Sequence, residues 1–512
     1  MDVTLADVVS ASRTVSATRS RTAKTDALAG LFARCDAEEV GVVVAHLSGV
    51  LPQRRLGVGF RSLGSLPDPA TAPSLTVADV DAAFDRLATT AGAGSTAFRR
   101  AELAALLGRA TAEEQSFLRD LITGNLRQGA LDGVVLAAVA QAYAVPEPVV
   151  RRAAMLAGTA AEVAGLAARG GEPALAEVGL VVGRPLRPML AASAKTPEEA
   201  VDAVGGGELI VDGKLDGIRV QVHRTADVVS VYTRSLDEIT DRVPEVVEAV
   251  AALPGGDLVL DGEAIVMRDD GRPALFQVTG SRTASSADVA NLRATVPLTT
   301  YVFDILHRDG VDLIDESARV RHEALEELAP HLLVPRRVTT EVADVVTFFD
   351  ELIASGHEGV VVKAATSSYA AGRRGSGWVK VKPTHTLDLV VLAVEWGSGR
   401  RRGFLSNIHL GARDPESGEF VMIGKTFKGM TDEMLRWQTE RFAELAVHGT
   451  DGWVVPLRPE QVVEVAFDGL QISRRYPGGV ALRFARVLRY RDDKSADEAD
   501  TIATVRSLAP DA

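Results

Sequence analysis

Val211-Asp212-Gly213-Lys214-Leu215-Asp216-Gly217-Ile218-Arg219 sets one lysine in a run of glycines and acids, and the rest of the chain is read outward from it. A Lys-x-Asp-Gly-x-Arg string specifies only four residues, so a chance match in a chain this long has odds of roughly one in a hundred. The chemistry it permits matters more. A lysine amine is a nucleophile only when neutral, and its unperturbed pKa of about 10.4 leaves on the order of one in a thousand neutral at pH 7. A site that uses it must desolvate the amine or crowd it with other cations. The string therefore predicts more lysines nearby, and acids able to hold a metal.

A chain of 512 residues is long enough for about three domains. Its 46% hydrophobic and 24% charged content is that of a soluble globular protein. It carries no unbroken apolar run long enough to span a bilayer, and the opening Met1-Asp2-Val3-Thr4-Leu5-Ala6-Asp7 does not read as a signal peptide. Cys35 is the sole cysteine, which excludes an internal disulfide and a cysteine-based zinc module. A cytoplasmic protein is expected. The net charge of −13 argues mildly against a nucleic-acid partner, yet the charges segregate. Between Lys363 and Arg402 stand eight basic residues against only Asp388 and Glu395, which suggests one anion-binding face.

Residues 1–178 are rich in Ala and Leu at helical spacing, so an all-α domain is expected there. Thr76-Val77-Ala78-Asp79 and Thr111-Ala112-Glu113-Glu114 look like helix starts, the second a capping box. Val134 to Tyr143 and Val149 to Ala168 continue the pattern. The turn Thr123-Gly124-Asn125-Leu126-Arg127-Gln128-Gly129 suits a phosphate or a plain helix–helix connection equally well. Gly170-Gly171-Glu172-Pro173 and Gly183-Arg184-Pro185 then punctuate the chain. From there the period drops to two. Ile218–Val222, Val228–Tyr232, Leu258–Leu260, Tyr301–Phe303, Val360–Val362 and Trp378–Lys382 read as strands, interrupted by helical patterns, and predict an α+β domain over 185–384. Short strands with one helix, Asp432 to Ala446, predict a β-barrel of the five-stranded OB type over 385–505.

The partners expected for Lys214 follow in order. Leu260-Asp261-Gly262-Glu263 puts two carboxylates at a strand end, Phe303-Asp304 offers an aromatic that can stack on a purine, and Glu358-Gly359-Val360-Val361-Val362-Lys363 runs a buried strand between an acid and a lysine. In Lys380-Val381-Lys382 both ammonium groups face one side of a strand. Such a pair beside Lys214 would depress its pKa and clamp a phosphate. Taken singly, an Asp-Gly-Glu is usually a turn, a Lys-Val-Lys the wet face of an edge strand, and a Phe part of a core. Five such pieces in this order are a different matter.

The set resembles the covalent nucleotidyltransferases, and specifically the ATP-dependent DNA ligases. Lys214 to Arg219 matches motif I; Thr233-Arg234-Ser235, Leu260 to Glu263, Tyr301 to Asp304, Glu358 to Lys363 and Trp378 to Lys382 resemble motifs Ia, III, IIIa, IV and V. Arg483-Phe484-Ala485-Arg486 with Arg489 and Asp492-Asp493-Lys494 is similar to motif VI, and Pro188-Met189-Leu190-Ala191 to the entry of the adenylation domain. Asp212 stands where many relatives carry glutamate, Gly213 replaces a bulkier residue, and Ala485 a common proline.

The resemblance implies a helical DNA-binding domain, an adenylation domain and an OB domain that encircle duplex DNA. It implies that Lys214 takes AMP from ATP, with Mg²⁺ or Mn²⁺ required, and that nicks with 5′-phosphate and 3′-hydroxyl ends are sealed. Glu358 and Glu263 would hold the metal, Glu263 on metal or ribose. Asp216 would serve the 3′-hydroxyl, Lys380 and Lys382 the α-phosphate, Phe303 and Asp212 the adenine, and Arg219 and Arg234 the ribose and nick phosphate. Lys363 and Arg373 complete the nucleotide-binding set, while Arg483, Arg486 and Lys494 would orient pyrophosphate. The expected partner is nicked duplex DNA of any sequence, bound by a monomer through its backbone, with a sliding clamp or repair protein as candidate contacts. A capping guanylyltransferase or RNA ligase shares the lysine motif but not a helical domain of some 175 residues, and an NAD-dependent ligase would need a zinc module. A dead DNA-binding scaffold has no need of Lys214, Glu263, Glu358, Lys380 and Lys382 together.

Overall fold

The computed structural model describes residues 3–508, except 65, 127–131, 286–287 and 371–373. The Arg127–Gly129 part of the loop singled out for phosphate, and Arg373, lie outside the described residues.

The N-terminal region is helical, as the spacing predicts. Thr76 and Thr111 both cap helices, Val77–Thr89 and Ala112–Ile122, with reciprocal side-chain bonds to Asp79 and Glu114. The pattern expected to run on from Val149 to Ala168 is instead two helices, Glu147–Ala157 and Ala160–Ala176, because Gly158 at φ 83° ends the first. One core of Leu, Val, Phe and Ala side chains unites the bundle. Buried in it is His46, whose two ring nitrogens have no hydrogen-bond partner among the described residues and whose ring meets Phe84 edge-on at 5.8 Å. Burial pushes His46 down to about 4. The unfolded chain therefore takes up a proton near pH 6.5 that the folded chain refuses, so stability falls as pH drops from 6.5 towards 4. His46→Leu should remove that acid sensitivity, worth roughly 3 kcal/mol at pH 4, in denaturation curves compared at pH 7 and pH 4.

The middle region contains two sheets. In the first the order is Leu190–Ala194, Arg374–Val381, Gly359–Ala364, Leu209–Lys214, Arg336–Thr339. In the second it is Val228–Thr233, Ile218–Thr225, Leu258–Ile265, Thr299–Arg308, Val311–Asp312. Period-two alternation decides what each sheet offers. Leu209, Val211, Val360, Val362, Val379 and Val381 pack on Val345, Phe348 and Leu352 of the helix Val342–Ala354. Their neighbours Asp212, Lys214, Lys363 and Lys380 therefore face the opposite way. In the second sheet Val220, Val222, Leu260 and Ile305 pack on the helices Pro244–Ala251 and Ala318–Leu328. Arg219, Asp261 and Glu263 then point across to the first sheet, and Phe303 joins them because a register shift between Asp261 and Gly262 leaves it as the extra residue between Val302 and Asp304. The acids of Leu260–Glu263 sit inside a strand, not at its end. Gly262 is required there, because a Cβ would run into the Tyr301 carbonyl.

The C-terminal region is a β structure with the expected helix, Asp432–Leu445. Its strands run Phe420–Thr426, Leu405–Arg413, His385–Trp396, Val462–Phe467, Arg486–Tyr490, with Val454–Pro456 on the central strand. The barrel is not closed. The first and last strands are not paired, and their edges meet through isolated bonds such as Val487 N–H to the Lys428 carbonyl at 2.9 Å. The hairpin Gly469–Ile472 and Val480–Arg483 forms a separate two-stranded sheet. Among the described residues no helix is long and apolar enough to cross a membrane.

Candidate active site

The chain leaves the first sheet at Lys214 and enters the second at Ile218, so Leu215, Asp216 and Gly217 form the joint between the sheets. A cleft of about 2600 Å³ opens there, lined by the two sheets, by Ser48–Arg55 of the helical region and by Asp468, Arg483 and Phe484 of the C-terminal region. Lys214 Nζ lies 2.5 Å from Glu358 Oε2, and Lys382 binds the other oxygen of the same carboxylate. Glu358 reaches this place because its N–H donates to the Lys214 carbonyl at 3.0 Å and Gly359 follows at φ 142°, pressed against the Val381 backbone.

These carboxylates reverse one expectation. Burial works to lower the Lys214 pKa, but Glu358 and Glu263 outweigh it, and the ammonium is held above its ordinary value. Of the two cations expected to depress it, Lys382 is itself engaged by Glu358. Lys380, by contrast, has no ion-pair partner among the described residues, and its pKa is lowered by burial and by Lys382 and Lys214. Glu263 accepts the Gly217 N–H at 2.8 Å and is pushed up to about 7 by burial, against the pull of Lys214. Its remaining lone pairs are open to the cleft. Among the described residues no group of three or more acidic, histidine or cysteine side chains is placed to hold a metal ion. Two hard carboxylates, Glu263 and Glu358, on the wall of the cleft nevertheless fit a cation such as Mg²⁺, which keeps several waters and leans on substrate phosphates.

The other expected residues fall into three groups. Phe303 borders the cleft, its ring edge-on to Trp378 at 6.1 Å, with Lys363 Nζ 5.2 Å from its centroid. Arg234 lies exposed on the cleft wall. Arg219 also borders it, but its guanidinium is taken by Asp261 at 2.9 and 2.6 Å and by the Met189 carbonyl at 2.7 Å. Asp212 is buried and paired with Arg336 and with Lys363 at 2.6 Å. Lys494 stands apart from the cleft, its ammonium on Asp388 at 2.6 Å.

Three participants, Arg336, Tyr369 and Asp468, lay beyond reach in the sequence, as did the pairing of a fourth, Asp261. Asp261 belongs to a quoted motif, but its partners Arg219 and Tyr369 are 42 and 108 residues away. Arg336 and Tyr369 sit in no motif. Asp468 meets Arg486 at 3.2 Å and Lys382 at 3.7 Å. The C-terminal region is docked on the site: Arg483 forks onto Asp216, with 3.2 Å for Nη2 to Oδ1, and Gln277 exchanges two 3.0 Å bonds with Ile472. Arg483→Gln should loosen this docking by about 1 kcal/mol, as a partly exposed pair allows. Faster amide exchange in the Gly469–Ile472 hairpin at low salt, converging with wild type at high salt, is the expected reading.

Comparison with known proteins shows the family. Residues 188–382 match the ATP dependent DNA ligase domain, 401–494 its C terminal region, and 57–140 the DNA ligase N terminus. A probable DNA ligase of Beutenbergia cavernae is 60% identical over 99% of both chains. The chain belongs to the ATP-dependent DNA ligases. A probable DNA ligase of a Nocardioides species is 58% identical, again over 99% of both. The solved structure "Pmar-Lig_Pre." shares the fold of the ligase, with a TM-score of 0.64 at 18% identity over 95% of this chain and 99% of that one.

Proposed function

We propose that the ligase seals nicks in duplex DNA in three transfers, and that the observation carrying this is Lys214 sharing the Glu358 carboxylate with Lys382 at the joint of the two sheets. Lys214 Nζ, once it has lost the proton that Glu358 and Glu263 hold on it, attacks the ATP α-phosphorus; the α–β bridging P–O bond breaks, pyrophosphate leaves, the nitrogen sheds a second proton to solvent and a lysine–AMP phosphoramidate forms. An oxygen of the DNA 5′-phosphate then attacks that phosphorus, the P–N bond breaks, and AMP passes to the DNA. The 3′-hydroxyl attacks the 5′-phosphorus, AMP leaves and the strand is joined.

Lys380 and Lys382 flank the α-phosphate, where their charge answers the charge that builds on its oxygens. Phe303 stacks on adenine, Asp212 meets its amine, Arg234 and Arg373 serve ribose and phosphates, and Arg219 and Lys363, whose donors are engaged by Asp261 and Asp212, hold the walls of the nucleotide site. Arg483 and Arg486 orient pyrophosphate while the C-terminal region is docked, and Asp216 is freed for the 3′-hydroxyl when Arg483 withdraws. Glu358 and Glu263 would hold Mg²⁺, which when bound supplies positive charge against the phosphate oxygens. Domains at 1–178, 185–384 and 385–505, the last of OB type, and a monomer working in the cytoplasm belong to the same reading; one family match falls within each segment, which supports the division into three. Affinity for DNA rests on backbone contacts and so falls steeply with salt.

Incubation with α-labelled ATP and Mg²⁺, followed by a chase with unlabelled nicked duplex, tests this. Covalent label that moves to DNA and leaves as AMP with the sealed product is expected. No label from ATP, or a preference for GTP, would sink it.

A further inference from the structure

Arg336 appears in none of the motifs, yet it touches both groups assigned to the base. It lies directly opposite Asp212 in the sheet register. Its Nε donates to Asp212 Oδ1, and its Nη2 donates both to Asp212 Oδ2 at 3.0 Å and to the Phe303 carbonyl at 2.9 Å. Its Nη1 is held by His322 Nδ1 on the helix Ala318–Leu328. Lys363 repeats the arrangement, with Nζ 2.6 Å from Asp212 Oδ2 and 3.0 Å from the Phe303 carbonyl. Side-chain exposure is 5% for Arg336, 3% for Asp212 and 4% for Lys363.

Lone-pair counting gives this geometry a direction. A carboxylate offers about four acceptor sites. Arg336 and Lys363 occupy three on Asp212, which leaves one, on Oδ1. Asp212 belongs to the cleft lining although its side chain is only 3% exposed, so the Oδ1 site is the one its protein donors leave for a ligand, and a carboxylate can only accept there. Three donors also forbid the carboxylate to turn. A planar fork holds two carboxylate oxygens and a carbonyl in one plane, which an ammonium cannot do.

We propose that Arg336, braced by His322, is a positioning residue that sets the nucleobase specificity of the ligase, by fixing Asp212 and the Phe303 backbone so that one acceptor meets a 6-amino group. The assignment rests on the ligase reading of the site. A base with a 6-oxo group would set oxygen against oxygen, and a base with hydrogen at that place would leave the acceptor unpaired.

The test compares self-adenylation of the full chain with ATP, purine riboside 5′-triphosphate and ITP, read as kcat/KM. Wild type should favour ATP by on the order of 100-fold, the value of a hydrogen bond to a charged group. Arg336→Lys and Arg336→Met should bring that ratio to within about 5-fold, mainly through KM for ATP, because the adenine contact is lost while Lys214 is untouched. His322→Leu removes only the brace from a partly exposed position and keeps the test open if the Arg336 variants fold poorly; a drop of about 3- to 10-fold in the ratio is expected. A merely structural role would lower all three nucleotides alike and keep the ratio, which overturns the assignment. Labelling of wild type without discrimination also overturns it, and leaves the ligase reading standing. No labelling of wild type by any of the three overturns both.

Discussion

Lys214→Arg should abolish covalent labelling by ATP, by on the order of 10⁴-fold or more, as removal of a nucleophile does elsewhere. Arginine keeps the positive charge beside Glu358 and so preserves the local electrostatics, but its guanidinium stays protonated under any working condition and has no lone pair to offer. The conservative change is thus the sharper one. Lys214→Ala would also remove the label, but it leaves Glu358 with Lys382 as its remaining partner and confounds chemistry with charge. Sealing of a nick supplied already adenylated tests the distinction, because it bypasses the attack by Lys214. Lys214→Arg should retain that activity within about 10-fold, since a positioned cation near phosphate remains. Loss of both reactions together would mean that the site had collapsed rather than lost its nucleophile.

The second large effect concerns stability. Arg321→Met should destabilise the ligase by about 3–5 kcal/mol, the cost of leaving a buried charge without its partner. Arg321 and Asp304 are 1% and 4% exposed, joined at 2.7 and 3.1 Å, and Arg321 also donates to the Glu316 carbonyl. Asp304 follows Phe303 in the same strand, so disorder there would reach the cleft. Adding Asp304→Leu to Arg321→Met should restore most of the loss, because two apolar groups of similar volume remove the uncompensated carboxylate. Denaturant midpoints of the single and double variants decide it: a double variant as unstable as the single would show that the ion pair itself, not the orphaned charge, carries the energy.

The residues facing the cleft were legible because alternation and motif order report on the same property. Val360–Val361–Val362–Lys363 and Lys380–Val381–Lys382 announce which side chains turn from the helices, and Glu263, Phe303 and Glu358 came with them. The strand that carries Lys214 itself was not foreseen. Asp212, Gly213 and Lys214 break the apolar alternation, and only the pairing of Leu209–Lys214 with Gly359–Ala364 and Arg336–Thr339 makes a strand of them. Charge balance was beyond reach for a related reason. Lys382 looked like a cation that would lower the Lys214 pKa, but Glu358 sits between the two ammoniums, and such a bridge depends on distance rather than spacing. Arg336, Tyr369 and Asp468 have no local signature, since each acts on a partner from another strand or another region. The open edge of the C-terminal sheet is likewise a matter of pairing between strands far apart in the chain.

The seam between the helical and middle regions bears on how the ligase can be cut. Met155 and Leu156 share one apolar cluster with Leu186, Met189, Val259 and Ile314, and the segment between is tied down by Gln221 to Leu186 and by His223 and Tyr232 to Gly183. A fragment starting near residue 185 would therefore carry a raw hydrophobic scar where helix side chains used to lie. Expressed alone it should stick to itself, and extending it back to Glu147 would cover that patch while baring Val150, Ala153 and Val163, which pack into the helical core. For anyone dissecting the ligase by truncation, a shared core marks a worse place to cut than the glycines and prolines of the linker suggest.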